Sequence, residues 1–394
     1  MSPPRPHLLA RSKLARRIDR LVAWMWAKGL TEKPPLDPDH LWEIGARGFS
    51  REDEVSIRPA EDVEDFRLRL EIVCRSLREE ARLNALGHTI AYGQLTSAIR
   101  KRHALGQLWN ARPELAATKI AAPIVVLGQM RSGTTRIHRL LAADPAHAGT
   151  RFCDSQNPVP RRPDMRPLKG ALALFLAHRI NPWLEAQHPF GSTRVDEEIG
   201  WLAAALSPVA LEAQYRIPSF VAFSESRDPA PIYREFARIL RTDAAQAGNA
   251  GRARVLKCPQ FSEDLAALLA QFPDARIVAT SRATDDVHAS SVSLVASQTG
   301  CQSDHAELAE IEREWARKIA MREERSAYDI ARFDGKVAQA DFAALNRDWQ
   351  ETIADIYAQL DLSPNPAAHA AMEAERRRAA QDGHRKHREQ FAEG

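Results

Sequence analysis

The chain has 394 residues, of which 44% are hydrophobic and 27% charged, a composition that is ordinary for globular proteins and sufficient for a sizeable core. Its formal net charge of +3 is too small to predict nucleic acid as a partner. Four scattered cysteines without a Cys-x-x-Cys pair argue against a metal site or a disulfide framework and predict a cytoplasmic location: Cys74, Cys153, Cys258 and Cys301.

Residues 1–118 are predicted to form a mainly helical N-terminal region. Its first 30 residues carry seven Lys or Arg against one acid, Asp19. The apolar patch at 21–26 could contact a membrane surface or an apolar acceptor, but we favour packing on the protein or on a partner subunit, as in a homodimer. No signal peptide is expected, and no apolar run reaches the ~18 residues of an integral membrane segment.

The run 123–136 begins the α/β domain that we predict over residues 119–394. It reads as a short apolar strand, Ile124 to Leu127, then a glycine-bearing turn from Gly128 to Gly133, then a helix opening with Thr134 and Thr135. Free N–H groups and the positive end of the helix dipole meet at such a corner, which favours an anion. A strand–turn–helix corner without a ligand remains the alternative.

The glycine spacing of this turn is that of a Walker A loop, but the lysine is missing. A Walker A loop places Lys directly after the second glycine, where this chain has Thr134. The cation lies earlier, at Arg131. This argues against a standard Mg²⁺-ATP site.

Residues 155–250 begin with several prolines and continue with helical patterns. We therefore predict a helical insertion on the sheet rather than a part of the sheet. It contains His188 and, just before an apolar run, the acidic pair Glu197 and Glu198.

The strand–helix pattern returns over residues 253–296. One strand ends at Lys257, and a second, Ile277 to Thr280, is followed by Arg282 and by a helix for which Thr284 is a candidate N-cap. Ser290 lies eight residues after Arg282, two turns into that helix. A long helix over 305–333, a strand from 336 to 340 and helices over 342–360 and 365–381 complete the chain.

Alternating strands and helices predict a mostly parallel sheet covered by helices on both faces. Ligands in such folds lie outside the carboxyl ends of the strands. Because Arg131, Lys257 and Arg282 each follow a predicted strand, we expect them to meet at one edge of the sheet.

These motifs resemble the bacterial branch of the PAPS-dependent sulfotransferases, a P-loop superfamily in which the loop often reads Arg-Ser/Thr-Gly-Thr-Thr. The resemblance covers roughly residues 120 to 394. It implies that the 5′-phosphosulfate is held by the loop residues Arg131, Ser132, Gly133, Thr134 and Thr135.

The same resemblance implies further contacts with PAPS. Arg282 and Ser290 have the spacing of the family's 3′-phosphate pair. Lys257 stands where the family commonly has Leu-Lys-Ser-Pro, here with Cys258 in place of Ser. The basic C-terminal segment resembles a loop that folds over the 3′-phosphate, implying contacts from Arg385 and Lys386, although the residue order departs from the family pattern and Arg388 remains an alternative.

We therefore predict transfer of a sulfuryl group from PAPS, without a metal, to a hydroxyl or amine of a small-molecule or carbohydrate acceptor. Arg131 is predicted to stabilise charge on the leaving nucleotide phosphate. The acceptor must lose a proton, and Glu197, Glu198 and His188 are the candidate bases. The acids could equally be a helix first turn. A P-loop kinase or nucleotide hydrolase, and a non-catalytic nucleotide-binding protein, are the alternative functions.

Overall fold

A computed structural model describes residues 4–160, 162–184 and 190–381 of the chain. Within these residues five strands form one sheet: β1 (Ile124–Leu127), β2 (His147–Gly149), β3 (Ala253–Leu256), β4 (Arg276–Ser281) and β5 (Val337–Asp341). The order across the sheet is β2-β3-β1-β4-β5, and every pairing is parallel. The predicted parallel α/β fold is confirmed.

Both faces of the sheet are buried, as its β-branched and aliphatic strands require. All four residues of β1 are buried; Val125 and Leu127 face one hydrophobic cluster, and Ile124 and Val126 face another. The alternation follows from the two-residue period of a strand. Helices therefore cover the sheet on both sides and leave only its edges and strand ends for a ligand.

Helices precede the sheet over the first 111 residues. They begin and end at Lys13–Ala27, Pro38–Gly45, Arg51–Val55, Ala60–Glu79 and Ala85–Ala111, and a short 3₁₀ turn follows at Pro113–Leu115. Buried hydrogen bonds and ion pairs attach this region to the insertion, and two of them illustrate the contact. Arg58 Nη2 lies 2.7 Å from Glu235 Oε1, and Trp109 Nε1 donates to Thr242 Oγ1 at 2.9 Å.

The region between β2 and β3 is helical, as predicted for the insertion. The helices in its described residues are Phe152–Gln156, Arg166–Ile180, Ile199–Ala203, Val209–Glu212, Pro218–Ser226 and Ala230–Gln246.

The remaining helices connect the strands or follow β5. They are Thr134–Ala143, the 3₁₀ turn Pro259–Ser262, Leu265–Gln271, Thr284–Gln302, Leu308–Ile330, Phe342–Arg347, Trp349–Gln359 and Ala368–Gln381. The single helix expected over 342–360 is divided because the Asp348 side chain accepts from Gln350 N and Glu351 N and so starts a new helix. None of the helices in the described ranges is long and apolar enough to cross a bilayer.

Candidate active site

The loop between β1 and helix Thr134–Ala143 strongly favours glycine at both ends. Gly128 has φ 151° and Gly133 has φ 87°, values that side chains rarely adopt. A Cβ on Gly128 would lie 2.1 Å from Thr280 Oγ1, and one on Gly133 would lie 2.6 Å from Phe342 Cδ2. The loop therefore lies directly against β4 and against the residue that follows β5.

Ser132 fixes the shape of this loop. Its hydroxyl donates to the carbonyl oxygen of Gln129 at 2.7 Å and lies 2.8 Å from Thr280 Oγ1, while its N–H donates to the same Gln129 carbonyl at 3.2 Å. Gln129 Nε2 in turn donates to the carbonyl of Ile319 at 3.0 Å. Ser132 is buried, and these hydrogen bonds of its hydroxyl and N–H stabilise the conformation of the loop.

The helix after the loop presents an uncapped N-terminus. Gly133 occupies the N-cap position, and no side chain caps the helix there. Thr134 is buried and Thr135 is partly exposed. The first-turn N–H groups and the positive end of the helix dipole therefore meet the loop at the corner where we expect an anion.

Arg131, Arg282 and Ser290 come together beside the loop. Arg131 Nε donates to Ser290 Oγ at 2.9 Å, and Arg282 Nη1 donates to the carbonyl oxygen of Arg131 at 2.7 Å. Arg131 has φ 69°, an unusual backbone conformation for a non-glycine residue. Burial, and secondarily the positive charge of Arg282, lower the pKa of Arg131. Two neighbouring guanidinium groups of this kind favour an anion between or beside them.

Arg282 is held by two further contacts. Its guanidinium lies over the Phe342 ring at 4.4 Å, and its Nη2 lies 3.0 Å from Asp286 Oδ2. The following helix begins at Thr284 with Ala283 as an N-cap that offers no side-chain bond, so the predicted N-cap at Thr284 is wrong by one residue. Asp286 therefore pairs with the arginine from the first turn of a helix that is itself uncapped.

Lys257 and Glu197 form the opposite side of the site. Lys257 follows β3, and its ammonium group pairs with the Glu197 carboxylate and lies 3.2 Å from Thr135 Oγ1. Glu198 is fully buried and accepts the backbone N–H of Lys257 at 2.9 Å. Burial raises the pKa of Glu198 to about 8. Glu198 thus fixes the backbone of Lys257, and Glu197 its side chain.

The structure brings together most of the residues predicted for the site. Arg131, Lys257 and Arg282 follow β1, β3 and β4 at one edge of the sheet, and Ser290 and Glu197 join them. The predicted contacts of His188, Arg385 and Lys386 lie outside the described residues.

Sequence reasoning missed Thr280 and Phe342, which support the loop and Arg282. Phe342 directly follows β5. The rule that parallel strands end at one edge could therefore have found it.

Comparisons with known proteins agree with this geometry. A family model described as "Sulfotransferase family" matches residues 123–366. The sulfotransferase STF1 from Mycobacterium tuberculosis H37Rv is similar in structure, with a TM-score of 0.78 and 27% identity over 87% of this chain and 94% of that chain. The sulfotransferase STF9 from Mycobacterium avium shares the fold, with a TM-score of 0.76 and 20% identity over 88% of this chain and 89% of that chain. A search of curated proteins found no match.

Proposed function

Because this chain belongs to the sulfotransferase family, we propose that it transfers a sulfuryl group from PAPS to a hydroxyl or amine of a small-molecule or carbohydrate acceptor. Its being a sulfotransferase rather than a P-loop kinase follows from the family and agrees with threonine at position 134. The observation that carries the choice of donor is the contact of Arg131 with both Ser290 and Arg282 at the mouth of a glycine loop. This contact supports the proposal because it joins the residue that we assign to the 5′-phosphosulfate to the pair that we assign to the 3′-phosphate.

The residues present fit a nucleotide that carries two anionic groups, a phosphosulfate and a separate phosphate. A Cβ on Gly128 or Gly133 would collide with Thr280 or Phe342, so glycine at these positions lets the loop pack directly against β4 and Phe342. Two arginines converge on the loop, and the helix that opens there has no side-chain cap. When bound, PAPS would supply the sulfuryl group: the bond between its sulfur and the 5′-phosphate oxygen would break as the acceptor bonds to the sulfur, and the phosphate would depart as part of adenosine 3′,5′-bisphosphate.

We assign Arg131 to the nucleotide phosphate that acts as the leaving group, where its permanent positive charge would stabilise the developing negative charge. Thr135 and Lys257 lie together at the start of the loop helix, and we assign them to orient the transferred group through hydroxyl and ammonium donors. Thr134 and Gly133 contribute backbone N–H groups. Ser132 shapes the loop, because its hydroxyl and N–H both bond to Gln129.

Glu197 is the base that we favour. Its carboxylate pairs with Lys257 at the site, whereas Glu198 is fully buried and bonded to backbone. A carboxylate held beside an ammonium group is oriented to accept an acceptor proton. Glu198 is then a positioning residue. His188 remains an alternative base.

Other expectations belong to the same proposal. We propose that Arg385 and Lys386 contact the 3′-phosphate and that the enzyme is cytoplasmic and needs no metal. We also propose that residues 1–118 form a helical region beside the domain 119–394, and that the chain can form a homodimer.

The donor assignment is tested by thermal shift with adenosine 3′,5′-bisphosphate and with Mg²⁺-ATP. A ligand at ~100 times its dissociation constant stabilises a protein by about 2.7 kcal/mol, so a clear shift is expected with the bisphosphate alone. Arg282→Ala should remove the shift, while the control Arg313→Ala, at an exposed position on helix Leu308–Ile330, should keep it. A shift with Mg²⁺-ATP alone would show that the donor site is misassigned.

A further inference from the structure

Helix Arg166–Ile180 is apolar yet largely uncovered. Among the described residues of this helix, Gly170 alone is buried. Leucine and phenylalanine side chains project into solvent instead: Leu168 is 62% exposed, Leu172 57%, Phe175 55% and Leu176 50%. Their spacing of three and four residues puts them on one stripe of the helix. Exposed apolar areas of this kind mark surfaces that bind a protein, a membrane or a ligand.

The helix is held firmly on its inner side, so its exposure is not the result of loose attachment. A Cβ on Gly170 would lie 2.6 Å from Ser192 Oγ and 3.1 Å from Cys153 Cβ, which shows a close approach. Arg166 anchors the first turn through Asp154 at 3.1 Å. The outer stripe is therefore presented by a fixed helix of roughly 22 Å in length.

Helix Lys13–Ala27 adjoins this helix and adds a second exposed set. The Ser12 hydroxyl donates to the carbonyl of Ile180 at 2.7 Å, which joins the start of one helix to the end of the other. Leu21 is 55% exposed and Trp24 50% exposed. Trp26, by contrast, packs edge-on against His88 at 5.5 Å. The 21–26 patch is thus divided between interior and surface.

Positive charge surrounds these apolar side chains. The two helices carry seven Lys or Arg and a single acid, Asp19. Arg166 is paired with Asp154 and Asp164, and the other six cations are exposed, in a chain whose total net charge is only +3. Asp19 is itself engaged, accepting the backbone N–H of Leu86 at 3.0 Å. Exposed Leu, Trp and Phe among Lys and Arg are the pattern of helices that lie in the interface of an anionic bilayer.

We propose that the exposed faces of these two helices form a docking surface for an anionic lipid bilayer. A symmetric contact between two copies would bring two strongly basic surfaces together, which charge repulsion opposes. Nucleic acid would neutralise the charge but leave Leu172 and Phe175 in water. A bilayer satisfies both, because phosphate headgroups face the cations and acyl chains receive the apolar stripe.

Co-flotation with vesicles tests this surface. The full chain should bind vesicles of equimolar phosphatidylcholine and phosphatidylglycerol, and bind pure phosphatidylcholine vesicles at least tenfold less. The double variant L172E/F175E and the charge variant R17E/R20E should each reduce binding about tenfold or more. Tyr328→Glu, a change at an equally exposed residue on another helix, should bind as the unaltered chain does.

The alternatives give different results. Absence of vesicle binding, or binding unaffected by L172E/F175E, would overturn the proposal. So would a dimer in sedimentation that L172E/F175E dissociates while vesicles remain unbound, because the stripe would then be a subunit interface. Each variant is also checked for its thermal shift with the bisphosphate, so that loss of fold or of the nucleotide site is recognised separately.

Discussion

Replacing Gly133 by alanine tests whether the loop is shaped by the space beside it as well as by its backbone conformation. Gly133 has φ 87°, and an added Cβ would lie 2.6 Å from the Phe342 ring. Gly48 is a matched control, since it has φ 86° and an added Cβ would meet nothing within 4 Å. Both substitutions place alanine in a left-handed backbone conformation, but only Gly133→Ala also introduces a steric clash.

The magnitudes follow from these contacts. A left-handed backbone costs alanine about 1–2 kcal/mol, which is the loss expected for Gly48→Ala. Overpacking adds about 1–3 kcal/mol, so Gly133→Ala should lower the free energy of unfolding by about 2–5 kcal/mol. If the ring moves instead, Arg282 loses its contact with Phe342 at 4.4 Å, and the affinity for the bisphosphate should fall.

Urea unfolding and calorimetric titration with the bisphosphate measure both effects. In a Phe342→Ala background, Gly133→Ala should cost about as much as Gly48→Ala does in the unaltered chain. Equal losses of stability for Gly48→Ala and Gly133→Ala, with unchanged bisphosphate affinity, would refute the steric reasoning. So would a Gly133→Ala cost that persists in full without the Phe342 ring.

Further predictions concern the charged groups of the site. Asp286→Asn removes the ion pair that holds Arg282, which is worth up to about 1 kcal/mol at an exposed site. Calorimetric titration should therefore show the affinity for the bisphosphate rising up to about fivefold, and weaker binding would contradict this interpretation. Glu197→Gln should lower kcat about 10²-fold or more in a sulfate-transfer assay while bisphosphate affinity stays within a few-fold, and full activity would exclude Glu197 as the base. Because burial raises the folded-state pKa of Glu198 to about 8 from its ordinary 4.5, the native chain should lose stability as pH rises between these values. Glu198→Gln removes this titration, so in urea unfolding the variant should gain stability relative to the native chain over that range, and a constant difference would refute the assignment.

Strands and strand ends were the predictable part of this molecule. Short runs with β-branched or aliphatic residues, lying between predicted helices, predicted β1, β3, β4 and β5 within one or two residues. The meeting of Arg131, Lys257 and Arg282 at one edge of the sheet followed from the predicted parallel topology.

The hydrogen-bond partners of side chains at the site were harder to predict. Nothing local in the sequence indicates that the Ser132 hydroxyl bonds to Gln129 and Thr280, or that Glu198 bonds to the backbone of Lys257. These partners are far apart in the chain and meet only after the sheet is assembled. Helix ends were likewise decided by single side chains, as at Asp348.

The position of β1 in the middle of the sheet has a consequence for synthesis on the ribosome. Its neighbours β3 and β4 follow on the order of 130 to 150 residues later, so at ~5–20 residues per second β1 waits about 6 to 30 s for a partner strand. Over that interval the apolar strand of the nascent chain is unpaired, and the glycine loop beside it lacks its contacts with Thr280 and Phe342, which are synthesised later. Chaperone demand during translation should therefore be set by the length of the insertion between β2 and β3.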